Sequence, residues 1–490
     1  MRSIQILTSF IFLSCLSVSC GGNGAASTTT ATAAATSPPA TQVQPTATPT
    51  EPRPPTDTAP APTETPAGSE GAGVHAVFEG ENGIWIVGRD GEVVRRISER
   101  GLTPGSDLRD AISPGGGRLA LAADVRTGLD LQLIEIPGGE MKTLSRLVQV
   151  TRIQRMLNSL SPEAFAYDAI ADFPNVAWQP GGGVLAYTGA EKGKTADAYT
   201  YDLAWDKTRR LDDDPTQAVR PVWSPDGGHL LFFGVEWLPP FGPTYVTFDP
   251  MAGFWAVRAS DNRIISQPLP EGTHRNFLGW RDETHYLVYD SNKQCAARNL
   301  RSVDLNTGAA SLIAEYCLSA RPVLSPVNGA ILITTDSGCG CKFGAGVFLL
   351  FPESSELLRL QEQAAFELFW LPDNGLFYAY PDALFSSDGG VRFEPPAPGA
   401  SYHPAISSKG YEAWEVFENR ASRLTIRSSG GEWKTVLEGN IGAMLWDPIT
   451  GETLLISLEN GELFAASAPD FTPRKTGDLI GPIDQAVWAI

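Results

Sequence analysis

From Val74 onward the chain alternates short apolar runs with clusters of Gly, Pro, Asp and Asn, and stretches of helical period are nearly absent. Pro221 to Gly234 shows the unit most clearly. Pro221-Val222-Trp223 leads into Ser224-Pro225-Asp226-Gly227, and His229 to Phe233 follows as a second apolar run. Pro225 presets φ at the first central turn position, Asp226 can bond its own backbone, and Gly227 accepts a positive φ. The stretch therefore predicts a β-hairpin.

The same unit recurs around Ile112-Ser113-Pro114, Trp178-Gln179-Pro180, Trp280-Arg281-Asp282, Leu324-Ser325-Pro326, Trp370-Leu371-Pro372, Ile406-Ser407-Ser408 and Trp446-Asp447-Pro448. In each, the residues up to and including the first named here are read as a first strand, so Asp110 to Ile112 is expected to be extended. A spacing of mostly about 36 to 56 residues suits four short strands per unit, the blade of a β-propeller. Second hairpins are expected at Asn306-Thr307-Gly308, Asp388-Gly389-Gly390, Ser429-Gly430-Gly431 and Glu459-Asn460-Gly461. The two ends complete each other. Val74 to Phe78, Ile84 to Val87 and Val93 to Ile97 read as three strands lacking a first, while Asp484 to Ile490 reads as a first strand lacking a blade. The pattern predicts an all-β, single propeller of four-stranded blades, closed by pairing of the C-terminal strand with the N-terminal blade. The count gives nine blades, against a usual four to eight, with seven and eight as alternatives.

Trp223-Ser224-Pro225-Asp226-Gly227 followed by an apolar strand resembles the WSPDG-type repeat of the TolB-like propellers, also seen in the propellers of prolyl oligopeptidase-like enzymes. The likeness is sharp in one blade and degenerate in the others. It implies a fold; blades of this kind bind proteins, gate active sites or act as scaffolds, so function does not follow from the motif.

The N-terminus changes the picture of where the propeller works. Met1-Arg2-Ser3 is a basic start, Ile4 to Val18 is largely apolar, and Cys20-Gly21-Gly22 follows, so residues 1–19 read as an export signal. Leu16-Ser17-Val18-Ser19-Cys20 resembles a bacterial lipobox with Leu displaced by one position, which implies lipidation at Cys20. Residues 20–73, rich in Thr, Ala, Pro and Ser, have nothing to bury and read as a disordered tether, reaching on the order of 40 Å. Residues 74–490 are the propeller.

Two segments break the spacing. Around residues 148–172, Val150, Ile153, Met156, Leu157 and Leu160 fall at helical intervals and predict an inserted amphipathic helix packed on its own propeller. Val235 to Ala256 holds Trp237, Phe241, Tyr245, Phe254 and Trp255 among prolines, a candidate binding loop for sugar or peptide or, equally, a cap on the propeller.

Candidate chemistry is sparse. Gly189 to Thr195 lacks the first glycine of a P-loop, and Ser386 to Phe393 is similar to a sialidase Asp-box, a turn-stabilising device. The histidines are scattered, and no catalytic constellation, metal site or cofactor motif is expected. Cys295, Cys317, Cys339 and Cys341 fall in loops that a propeller gathers on one face, and export favours disulfides among them. With 37 basic against 56 acidic residues and a net charge of −19, nucleic acid is excluded as a partner and any membrane contact falls to the lipid. The expected function is a lipid-anchored, extracytoplasmic module that binds or scaffolds an envelope protein, rather than an enzyme. The alternative is a glycan-binding or glycan-processing surface protein.

Overall fold

The computed structural model describes residues 73–490 apart from short segments, the longest being 151–161, 236–250, 269–274, 291–296 and 336–343. Among the described residues nine antiparallel sheets form a nine-blade propeller. Eight sheets have four strands, and in all of these but blade 1 the strands follow the chain from the channel outward; blade 4, for example, runs Gln217–Trp223, His229–Val235, Met251–Arg258 and Ile264–Pro268.

Blade 1 closes the ring. Gln485–Ala489 supplies its inner strand and pairs with His75–Gly80, in register from His75 opposite Ala489 to Glu79 opposite Gln485. Gly83–Gly88 and Val93–Ser98 complete the sheet. The Asp484 N–H donates to the Glu79 carbonyl at 2.8 Å, which fixes the entry of the closing strand.

Blade 2 departs from the expected pattern. Its three strands are Arg118–Val125, Gly128–Glu135 and Met141–Gln149. Where an inner strand was expected, Leu108–Ala111 forms a single helical turn, α1, and only Ile112 reaches the sheet, as a bridge to Leu119. The cause is local. The Asp107 carboxylate accepts the Arg109 N–H at 2.9 Å, Leu108 and Ala111 bury their side chains, and the Leu108 N–H donates to Gln485 Oε1 at 2.7 Å. The polar ends of the turn are thereby satisfied without a strand partner.

The WSPDG unit behaves as its chemistry dictates. The Ser224 hydroxyl donates to Asp226 Oδ1 at 2.6 Å and accepts the His229 N–H at 2.9 Å, and Gly227 sits at φ 69°. Ser386-Ser387-Asp388-Gly389-Gly390 builds the same turn, with Ser386 Oγ and the Gly390 N–H both on Asp388 Oδ1. The Asp-box-like segment is thus a second copy of the hairpin device.

The tryptophan of the unit joins neighbouring blades. Trp178 donates its indole N–H to the Ala111 carbonyl at 2.9 Å, Trp223 to Ala177 at 3.1 Å, Trp446 to Ala405 at 3.0 Å and Trp488 to Trp446 at 2.7 Å, each acceptor lying on the preceding blade. The Trp280 indole nitrogen is buried without a partner among the described residues. Between blades the core is aromatic and aliphatic. Phe232, Phe233, Phe377 and Trp414 are each at most 1% exposed, worth about 2–3 kcal/mol apiece in transfer from water.

The insertion after blade 2 contains a helix, α2, at Pro162–Asp172. Pro162 suits a first helical position, and Pro174 follows the end. Ala166 and Ile170 join the core of blades 1 to 3, and Ala169 packs with Val219 and Leu231 of blade 4. The helix therefore spends its described apolar face at home. Of the residues whose spacing predicted it, Ile153, Met156, Leu157 and Leu160 lie outside the described residues.

Candidate functional site: the central channel

Neighbouring hairpins interlock on the face where first strands turn into second ones. Gln179 Nε2 donates to the Gly227 carbonyl, Asn328 Nδ2 to the Ser387 carbonyl, and Arg281 grips Glu353 through both its bonds, at 3.0 and 2.7 Å. Arg89 likewise grips Asp447, which is nearly buried. Inside this rim the channel opens into a cavity of about 1310 Å³, bounded by α1 and the inner strands of blades 3 to 6.

The charged residues of the cavity follow a register that the repeat itself defines. Counting back three residues from the Trp of Trp223-Ser224 gives Arg220; from the equivalent Ile112 it gives Arg109, and from the equivalent Leu324 it gives Arg321. Blades 2, 4 and 6 thus carry arginine at one repeat position. Arg109 and Arg220 line the cavity, and Arg109 also borders a second recess against blades 8 and 9. Arg220 sits at φ 52°, in a bulge between Val219 and Val222, with its N–H on the Pro174 carbonyl at 3.0 Å. Its guanidinium lies 6.0 Å from the Phe233 ring centroid. A left-handed backbone at a residue with a long side chain is uncommon, and such positions cluster at functional sites.

Electrostatics tie these groups together. Burial pulls the Arg220 guanidinium below its ordinary pKa, against the opposing pull of the Asp110 carboxylate. Asp110 is exposed on the channel side, yet the surrounding protein desolvates its carboxyl, and this, with Asp107 adding to it and Arg220 and Arg109 opposing, raises its pKa to about 6. Burial also raises the Tyr289 phenol, while Arg321 and Arg220 work against the rise. Arg281 is committed to Glu353 and Asp107 to the Arg109 amide. Among the described residues neither Arg109, Arg220 nor Arg321 has a carboxylate within salt-bridge distance.

The residues singled out from sequence fall elsewhere. Trp237, Phe241 and Tyr245 lie outside the described residues. Phe254 and Trp255 belong to the third strand of blade 4 rather than to a loop, opposite Phe233 and Phe232, and Trp255 stacks on Phe232 at 6.1 Å. Cys20, Cys295, Cys317, Cys339 and Cys341 also lie outside the described residues; nearby, Ala297 bridges Leu318. No group of three metal-ligating side chains occurs among the described residues. The arginine register was the missed signal, readable only once the blades are aligned on the residue that opens each hairpin turn, Trp223 in blade 4 and Ile112 and Leu324 in blades 2 and 6.

No family model matches the chain, and no curated protein matches it. Solved structures do match. A prolyl endopeptidase aligns over 76% of this chain and 48% of its own, at 11% identity and a TM-score of 0.39, so the chain spans about half of that enzyme. Dipeptidyl peptidase 4 of Porphyromonas gingivalis aligns over 83% of this chain and 60% of its own, at 9% identity and a TM-score of 0.44. TolB of Acinetobacter baumannii aligns over 76% and 82%, at 13% identity and a TM-score of 0.27.

Proposed function

We propose that the protein is an exported, lipid-anchored β-propeller that serves as a protein-binding module of the bacterial cell envelope. The lipobox-like Leu16 to Cys20 and the Thr-, Ala- and Pro-rich tether support the anchoring. The observation that carries the binding role is Trp205, at the tip of the outer hairpin of blade 3. Its N–H is held by Asp202 Oδ1 at 3.0 Å, yet its side chain is 79% exposed. A solvent-facing indole on a backbone pinned by its own turn is the kind of anchor that concentrates binding energy in protein interfaces. Val327 and Ile449 stand exposed at hairpin tips on the same face.

The test is crosslinked capture of the native protein from envelopes, with partners identified by mass spectrometry beside Cys20→Ala and Trp205→Ala. A reproducible protein partner, lost in the first variant and depleted in the second, is the expected result. Recovery of glycan alone would replace this reading by the glycan-binding one, which the carboxylates of Asp107 and Asp110 beside the cavity-lining Trp178 and Trp223 favour.

A further inference from the structure

We propose that the central channel binds a small organic carboxylate between the guanidinium groups of Arg109 and Arg220, with Arg321 adding a third positive charge at the same repeat position. The site lies apart from the Trp205 surface and does not depend on a protein partner.

Three observations carry it. The first is charge placement against the grain of the molecule. The chain has a net charge of −19, yet arginine occupies one repeat position in blades 2, 4 and 6, and none of the three is neutralised within salt-bridge distance among the described residues. Arg220 is the half-buried one of the three; a desolvated guanidinium without an anion is costly, and its left-handed backbone adds to that cost. A bound anion would offset both.

The second is the shape of the space. About 1310 Å³ exceeds what an inorganic ion fills and suits an organic molecule. The wall beside Arg220 includes Phe277 and Trp223, which offer apolar surface to a carbon skeleton. Guanidinium forks meet carboxylate oxygens two at a time, which fixes orientation as well as charge.

The third is Asp110, between the two arginines in the electrostatics of the site. The charged groups that act on it are Asp107, Arg109 and Arg220. With its pKa at about 6, Asp110 is largely neutral in mildly acidic surroundings and can then donate a hydrogen bond to a carboxylate oxygen. Above that pH it is an anion and repels the same ligand. Binding should therefore weaken as pH rises through about 6.

The experiment is calorimetric titration of the full-length protein in detergent with succinate, phthalate and citrate. Phthalamide serves as the neutral counterpart and inorganic phosphate as the competing anion. We expect at least one carboxylate to bind with Kd below about 1 mM near pH 5, and about tenfold more weakly near pH 7.5. Arg109→Gln should weaken binding by tenfold or more. Its side chain is exposed and makes no contact that the fold needs, so loss of folding does not confuse the result. Arg220→Gln should do the same if its unfolding midpoint is unchanged. Asp110→Asn should bind equally at both pH values. No carboxylate binding in the wild type, binding indifferent to Arg109→Gln, equal binding of phthalamide, or tighter binding of phosphate would each overturn the proposal.

Discussion

A tryptophan that donates its indole N–H to the blade before it recurs around the ring. The bond is partly buried and neutral, so each is worth about 1 kcal/mol net. Trp178→Phe and Trp223→Phe should each lower stability by about that much in urea unfolding. Trp280→Phe should leave it unchanged or slightly raised, because among the described residues the buried Trp280 indole nitrogen has no partner to lose. Equal losses in all three would show that ring volume, not the bond, is what matters. The tryptophan was legible in the sequence as the beat of the repeat. Its partner was not, because the acceptor is a main-chain carbonyl 41 to 67 residues upstream, which any residue type supplies.

Elements read well where turn chemistry and strand chemistry agree, and less well where they part. Ser113-Pro114-Gly115-Gly116 marks a hairpin as expected, but the residues before it, Arg109 and Asp110, fold as α1 because Asp107 and Gln485 satisfy its first amides. A capping bond to a residue at the opposite end of the chain leaves no local trace. Helix α2 carries its own testable feature. Desolvation, with Asp172 adding to it, raises the Asp168 pKa to about 6. Its folded value lies above its unfolded one, so the folded protein holds a proton that the unfolded chain has lost between about pH 4 and 6. Stability from this group therefore falls as pH rises through that window. Asp168→Asn should raise the urea midpoint at pH 7 and change it little at pH 4; a gain of equal size at both would refute the assignment.

For the whole molecule, blade number and closure were legible because incomplete ends reveal each other: three strands without a first, and a first without three. The channel site was not, because it takes single residues from separate blades and no two of them are neighbours in sequence beyond Arg109 and Asp110. Closure can be broken and mended. A chain ending at Asp484 loses the strand paired with His75–Gly80, together with both Gln485 bonds to the blade 2 entry, and should unfold at lower urea and with less cooperativity. A peptide of residues 484–490 added in excess should restore the midpoint, which circular dichroism can follow. This arrangement also imposes an order on synthesis. The strand that lines the channel in the first blade follows every other strand of the ring along the chain, so the other blades can all form before the ring exists. A prematurely terminated chain keeps an open sheet edge at blade 1, a mark by which quality control can tell an unfinished molecule from a finished one.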